Sequence, residues 1–312
     1  MRIGFGLPVS GAWATPGNVA AFAERAEALG YDSMWTFHRL LVAADQRLDP
    51  VYRSVLDPLV ALSFAAARTA RIRLGVAVVN LPFVPPAYLA KQASTLDVLS
   101  GGRLDLGLGT GWAPAEFAAT GADPQRRGAR TEEYLAVLRT LWTDEVSSFD
   151  GGFYTIPPAR MMPKPVQRSG PPVLLGGTVP AALRRAGRLA DGWISRSAQN
   201  LDEIAGDVAI VRGAAAEAGR DPAAVRIVAR GVLRLGTRGG RLSGTPDQVR
   251  ADVEWLAAQG VTEVFYDLNW DPLVGSPDAD PALATERATE IIETLAPGRA
   301  RAERAPSGTA PG

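Results

Sequence analysis

His38 is the single histidine in a chain of 312 residues. Arg39 follows it, and the pair stands where the apolar stretch YDSMWTF (31–37) stops. An imidazole titrates near neutrality, so beside a reacting centre it can give or take a proton. A packed structural histidine is the plainer alternative, and position in the fold decides between them. Two glycine-rich turns add a second kind of chemistry. GLGTGW (107–112) sets Gly107, Gly109 and Gly111 at alternate positions. Glycine lets backbone approach a ligand closely, although a tight turn would use it equally. LLGGTVPAALRRAG (174–187) runs Gly176 and Gly177 out of an apolar stretch into a helical pattern with Pro180 in its first turn. Free N–H groups at a helix start hold an anion without any charged side chain. The Thr178 hydroxyl adds a donor, and a phosphate is the expected guest.

Composition narrows the field. Basic and acidic side chains number 33 each, so the formal net charge is zero and nothing draws nucleic acid or an anionic membrane. There is no cysteine. Disulfides, thiolate metal sites and cysteine nucleophiles are therefore excluded, and one histidine rules out a multi-histidine metal site. No apolar run has membrane-spanning length. The N-terminus resembles a short signal peptide, but Gly4, Gly6, Pro8 and Gly11 interrupt it. The expectation is a soluble cytoplasmic protein with no nucleic-acid or membrane partner.

Short β-type runs alternate with helical patterns eight times. The runs are 2–8, 31–37, 71–80, 103–109, 172–177, 191–195, 225–235 and 261–269. RIRLGVAVVN (71–80) is nearly continuous in apolar residues, as strands buried on both faces are. Thr15-Pro16, Asp57-Pro58 and Thr245-Pro246 each read as an N-cap with proline at the first helical position. Asn200 and Glu203 read as a capping box. Residues 144–171 form the least regular insertion. Eight such units in about 295 residues predict a (β/α)8 TIM barrel over 1–296. The tail 297–312 is expected to be disordered. An open doubly wound sheet also alternates, but usually has fewer strands and a Gly-rich first turn, and PVSGAWATPG is no G-x-G-x-x-G. Barrel chemistry sits at the C-terminal strand ends. That rule brings His38, Asn80, Thr110, Gly111, Trp112, Gly176 and Gly177 to one rim. Trp13 and Trp112 are candidate pocket walls. Tyr266 and Glu116 are weaker proton-donor candidates than His38, and Glu116 is better suited to hold a turn or an arginine.

ALGYDSMW (28–35), RIRLGVAVVN (71–80), AKQASTLDVLSGGRLDLGLGTGW (90–112), PPVLLGGTVPAALRRAGRLADGW (171–193) and GTPDQVRADVEWLAAQGVTEV (244–264) resemble, in order and spacing, the luciferase-like monooxygenase superfamily. The resemblance is greatest to its oxidoreductases that use coenzyme F420. It implies a barrel of the bacterial luciferase-like type. It implies a cis Ala77-Val78 bond behind the middle cofactor ring, with Asn80 beside it. Contacts from Thr110, Gly111 and Trp112 and a phosphate turn at Gly176, Gly177, Thr178 and Val179 follow likewise. Many relatives carry an acidic residue and then histidine after the second strand, whereas His38 here takes the acidic position and Arg39 the histidine position. His38 is thus expected at the ring, with its proton-donor role open. The implied activity is hydride transfer between F420 and a small organic substrate, in a homodimer. An FMN-dependent monooxygenase and a non-catalytic cofactor-binding protein are the alternatives. A sugar-phosphate barrel enzyme would place a lysine or a carboxylate pair at the strand ends, and Lys91 and Lys164 lie elsewhere.

Overall fold

The computed structural model describes residues 1–297, and the expected disordered tail lies almost wholly outside them. Eight parallel strands close into a barrel in sequence order. They are β1 (Arg2–Gly6), β2 (Ser33–Thr36), β3 (Arg73–Asn80), β4 (Leu104–Gly109), β5 (Val173–Gly176), β6 (Gly192–Ile194), β7 (Arg226–Val232) and β8 (Glu263–Asp267). β8 returns to β1 with Arg2 opposite Glu263 and Phe5 opposite Tyr266. The closed ring confirms the TIM barrel and removes the open-sheet alternative.

Around it pack α1 (Pro16–Ala28), α2 (Pro58–Ala66), α3 (Pro86–Ser100), α4 (Pro114–Thr120), α5 (Arg127–Thr143), α6 (Pro180–Leu189), α7 (Ile204–Glu217), α8 (Pro246–Ala258) and α9 (Pro281–Thr294). Thr15, Asp57 and Thr245 cap as expected, each accepting from N–H groups of the first turn. Such a cap contributes about 0.5–2 kcal/mol. Asn200 departs from expectation. Its side chain caps a single 3-10 turn, Leu201–Glu203, and α7 starts only after it. The insertion 144–171 is more regular than its sequence suggests, because Ser147–Asp150 and Thr155–Ala159 pair as an antiparallel hairpin. The short α4 was not expected from the sequence.

Two cores result. One lies between strands and helices. The other fills the barrel with Trp35, Ala77, Leu174, Ile194, Val228 and Phe265, where the Trp35 and Phe265 rings stack at 5.2 Å. Below this layer, at the N-terminal ends, Asp105 and Glu263 are fully buried among Arg2, Arg73 and Arg226. Ser33 Oγ and Trp35 Nε1 donate to Glu263 Oε1 at 2.6 and 3.0 Å. Burial pushes the Asp105 carboxyl up, yet the hydrogen bonds and charges of Arg73 and Arg226 outweigh it and hold it below the usual carboxylate range.

Candidate active site

The C-terminal strand ends surround a cavity of about 630 Å³. β2 runs out into it as Phe37, His38 and Arg39. β3 contributes Ala77, Val78 and Asn80, and the turn after β4 contributes Gly109 to Trp112. The β5 turn, Gly176 to Val179, forms the opposite wall with Ser195, Arg196 and Ser197 after β6. Arg230 of β7, Tyr52, Arg127 and Trp270 complete it. His38 and the expected cofactor contacts, Ala77, Val78, Asn80, Thr110 to Trp112 and Gly176 to Val179, all line this one space.

The wall at β3 is unusual. Ala77-Val78 is a cis peptide between non-proline residues. There β3 slips register against β4 between Val76 and Val79. Gly107 and Gly109 on β4 accommodate this bulge. A Cβ on Gly107 would lie 2.0 Å from the Val76 carbonyl oxygen, and one on Gly109 would lie 2.4 Å from Val78 Cγ2. These two glycines therefore serve the neighbouring strand and only indirectly a ligand. Arg230 holds the bulge from the far side. Its Nη1 donates to the Ala77 carbonyl at 3.1 Å, and its Nε donates to Asp267 at 2.8 Å. Its guanidinium lies 4.0 Å from the Trp270 ring centroid.

His38 Nδ1 accepts from the Asn80 backbone N–H at 3.2 Å. In the neutral ring the proton then sits on Nε2. Burial pushes the His38 pKa below its ordinary value. Asp57 and Glu116 pull the other way without overcoming burial, and Arg39 adds a smaller downward push. The imidazole is thus neutral at pH 7, with one N–H to give. Glu116, completely buried, does what its sequence position suggested. Its Oε1 accepts from the Leu40 N–H at 2.7 Å, and its Oε2 lies 2.9 Å from Arg39 Nη1.

At β5, the Gly177 carbonyl accepts from Trp193 Nε1 at 2.8 Å, which pins the turn. Gly177 has φ +141°, and a Cβ there would lie 2.6 Å from the Ala182 Cβ. No side chain caps α6, whose first residue is Pro180. The turn is therefore a concave backbone surface at a helix start, suited to an anion. Arg127 lines the same cavity, fixed by donation to the Gly111 carbonyl at 2.7 Å.

Two expectations fail. Trp13 is fully buried against Phe22 and is not part of the cavity lining. Tyr266 alternates with the inward-facing Phe265 and so points into the helix-side core. It lies outside the cavity lining, and burial keeps its hydroxyl protonated well above the usual tyrosine range. Sequence reasoning also missed Arg230. Its signal was a charge within a buried run, two residues from inward-facing Val228.

The family profile described as luciferase-like monooxygenase matches residues 4–238. The chain belongs to the luciferase-like monooxygenase family. It is 37% identical over 239 residues to an uncharacterised protein of Mycobacterium tuberculosis, covering 76% of each chain. An F420-dependent glucose-6-phosphate dehydrogenase of Kineococcus radiotolerans is 34% identical over 190 residues, 60% of this chain and 54% of that one. Among solved structures, a monooxygenase from Streptomyces bottropensis superposes with a TM-score of 0.77 at 24% identity, over 94% of this chain and 98% of the other. Membership in this family makes the barrel rim the place to look for redox chemistry. No helix among the described residues is long and apolar enough to cross a membrane.

Proposed function

We propose that this chain is a cytoplasmic F420-dependent oxidoreductase, exchanging a hydride between the deazaflavin and a small organic substrate in the rim cavity. The observation that carries the reading is convergence: the Ala77-Val78 wall, the β4 turn and the uncapped α6 start face one space of about 630 Å³. The dehydrogenase relative from Kineococcus supports F420 over other redox cofactors. When bound, the deazaflavin supplies the hydride chemistry. The protein's own residues do the rest. Ala77 and Val78 back the ring, with Asn80 beside it. Thr110, Gly111 and Trp112 flank it. Gly176, Gly177, Thr178 and Val179 hold the phosphate. The cradle fits, since a side chain at position 177 would collide with Ala182. His38, neutral and with its proton on Nε2, transfers that proton at the ring edge.

Titration with oxidised F420, reduced F420 and FMN, followed by fluorescence, tests this. Tight F420 binding and weak FMN binding are expected. The reverse order favours the FMN-dependent monooxygenase, a reading whose monooxygenase half agrees with the family's description. The homodimer belongs to the same proposal. α2 and α3 pack side by side and expose Val60, Phe64, Tyr88 and Leu99 at 43–71%. Large apolar side chains exposed on two neighbouring helices suit an interface. Light scattering should give twice the chain mass, and a Val60→Glu/Leu99→Glu variant should give the single mass.

A further inference from the structure

We propose that Arg39 recognises the substrate in this cavity by hydrogen-bonding the carbonyl oxygen of a neutral, planar organic molecule. The inference deepens the reading above and rests on it. Arg39 lines the cavity with its side chain only 3% exposed. Its guanidinium sits in the corner formed by two rings in edge contact, 4.5 Å from the Tyr52 centroid and 4.6 Å from that of Trp112. Glu116 Oε2 approaches Nη1 but makes no aligned hydrogen bond. Nε and Nη1 are buried, Nη1 against Glu116 Oε2, and Nη2 is the donor left toward the cavity with no hydrogen-bond partner among the described residues. A charged donor held in a largely desolvated place gains free energy when an acceptor arrives. Arg230 is the control within the same cavity. It too lies against aromatic rings, yet its donors are taken by Asp267 and the Ala77 carbonyl. Arg39 is the guanidinium of this cavity with a donor left over.

The charge around it selects the acceptor. Glu116 already balances Arg39, so a substrate carboxylate would face a second carboxylate in a desolvated place. A neutral carbonyl oxygen takes a donor without adding charge. Phe37, Tyr52, Trp112 and Trp270 supply aromatic faces for a flat, unsaturated body.

Acetophenone, benzoate and ethylbenzene are suitable probes, measured on F420-loaded protein by ligand-observed NMR. Acetophenone should bind at least about tenfold more tightly than the other two, the scale of one hydrogen bond to a charged donor. The double variant Arg39→Met/Glu116→Gln removes both charges together, so neither is stranded. It should bind acetophenone and ethylbenzene alike and keep wild-type F420 affinity. Arg39→Lys keeps the charge beside Glu116 but loses the planar fork, and it should lose most of the preference even if the double variant fails to fold. Equal binding of the three probes by the wild type, or a preference that survives these substitutions, overturns the assignment. Tighter binding of benzoate overturns the neutral-carbonyl class. If F420 does not bind the wild type, the preceding reading falls, and the same probes on the free protein still decide the role of Arg39.

Discussion

The two ends of the barrel are built from the same strands and treat charge in opposite ways. At the N-terminal end, Asp105 and Glu263 share Arg2, Arg73 and Arg226 through contacts of 2.7–3.1 Å, and Ser33 and Trp35 fill remaining positions on Glu263. At the C-terminal end, Arg39 pairs with Glu116 through Nη1 alone and keeps Nη2 without a hydrogen bond among the described residues, and the α6 start has no side-chain cap. The N-terminal network, in which Arg226 Nε is left without a hydrogen bond but both carboxylates are held on several sides, stabilises and leaves little for a ligand. A rim with open donors is ready for one. The general division of such barrels into a stabilising bottom and a reactive top thus has a specific cause here.

Substitutions can break or sharpen this contrast. Asp105→Ala should have the largest effect, because it strands Arg73 and Arg226 in a buried layer. A loss of about 3–5 kcal/mol is expected in urea unfolding, with F420 affinity of the folded protein unchanged. His38→Gln should do the reverse. Glutamine can still accept from the Asn80 N–H, so stability should hold, while steady-state turnover falls about 10²-fold or more, the usual contribution of a positioned proton donor. Gly177→Ala introduces a methyl against Ala182 in a backbone conformation that side chains rarely adopt. F420 affinity should fall about tenfold, while the deazaflavin nucleoside lacking the phosphate should bind as before. Equal loss for both ligands would mean the turn holds something other than the phosphate.

The smallest effect concerns pH. The folded His38 pKa lies below its unfolded value near 6.5, so the unfolded chain binds the extra proton first as pH falls. The stability contribution of neutral His38 is complete above about pH 6.5 and declines below it. The melting temperature of the wild type should therefore drop more between pH 7 and 5 than that of His38→Gln. A larger drop in the variant would reverse the sign and mean the imidazole is charged in the fold.

Much of the barrel was legible because its signals are local. Valine-rich runs mark strands, and the Thr-Pro and Asp-Pro pairs mark helix starts. The rim followed from the same list, since strand ends converge once a barrel closes. What stayed hidden depends on neighbours far away in sequence. Gly107 and Gly109 read as ligand-facing glycines, but their spacing answers a bulge in β3. Tyr266 ends a strand like a site residue, and only side-chain parity with Phe265 turns it away. Trp13 carries no mark distinguishing it from Trp112. Its place is fixed by an edge-on contact with Phe22 of α1. The leftover donor of Arg39 could not be read at all, because it depends on the placement of Tyr52, Trp112 and Glu116.

The seam between β1 and β8 has a consequence for biosynthesis. Gly4 pairs with Phe265, so the first strand made must wait for the last. At roughly 5–20 residues per second on the ribosome, that interval is on the order of 13–50 s. Throughout it a nascent strand edge is available to other chains. Chains released before residue 263 lack that seam and should collect in inclusion bodies, even though every residue of the β2 to β7 arc is present.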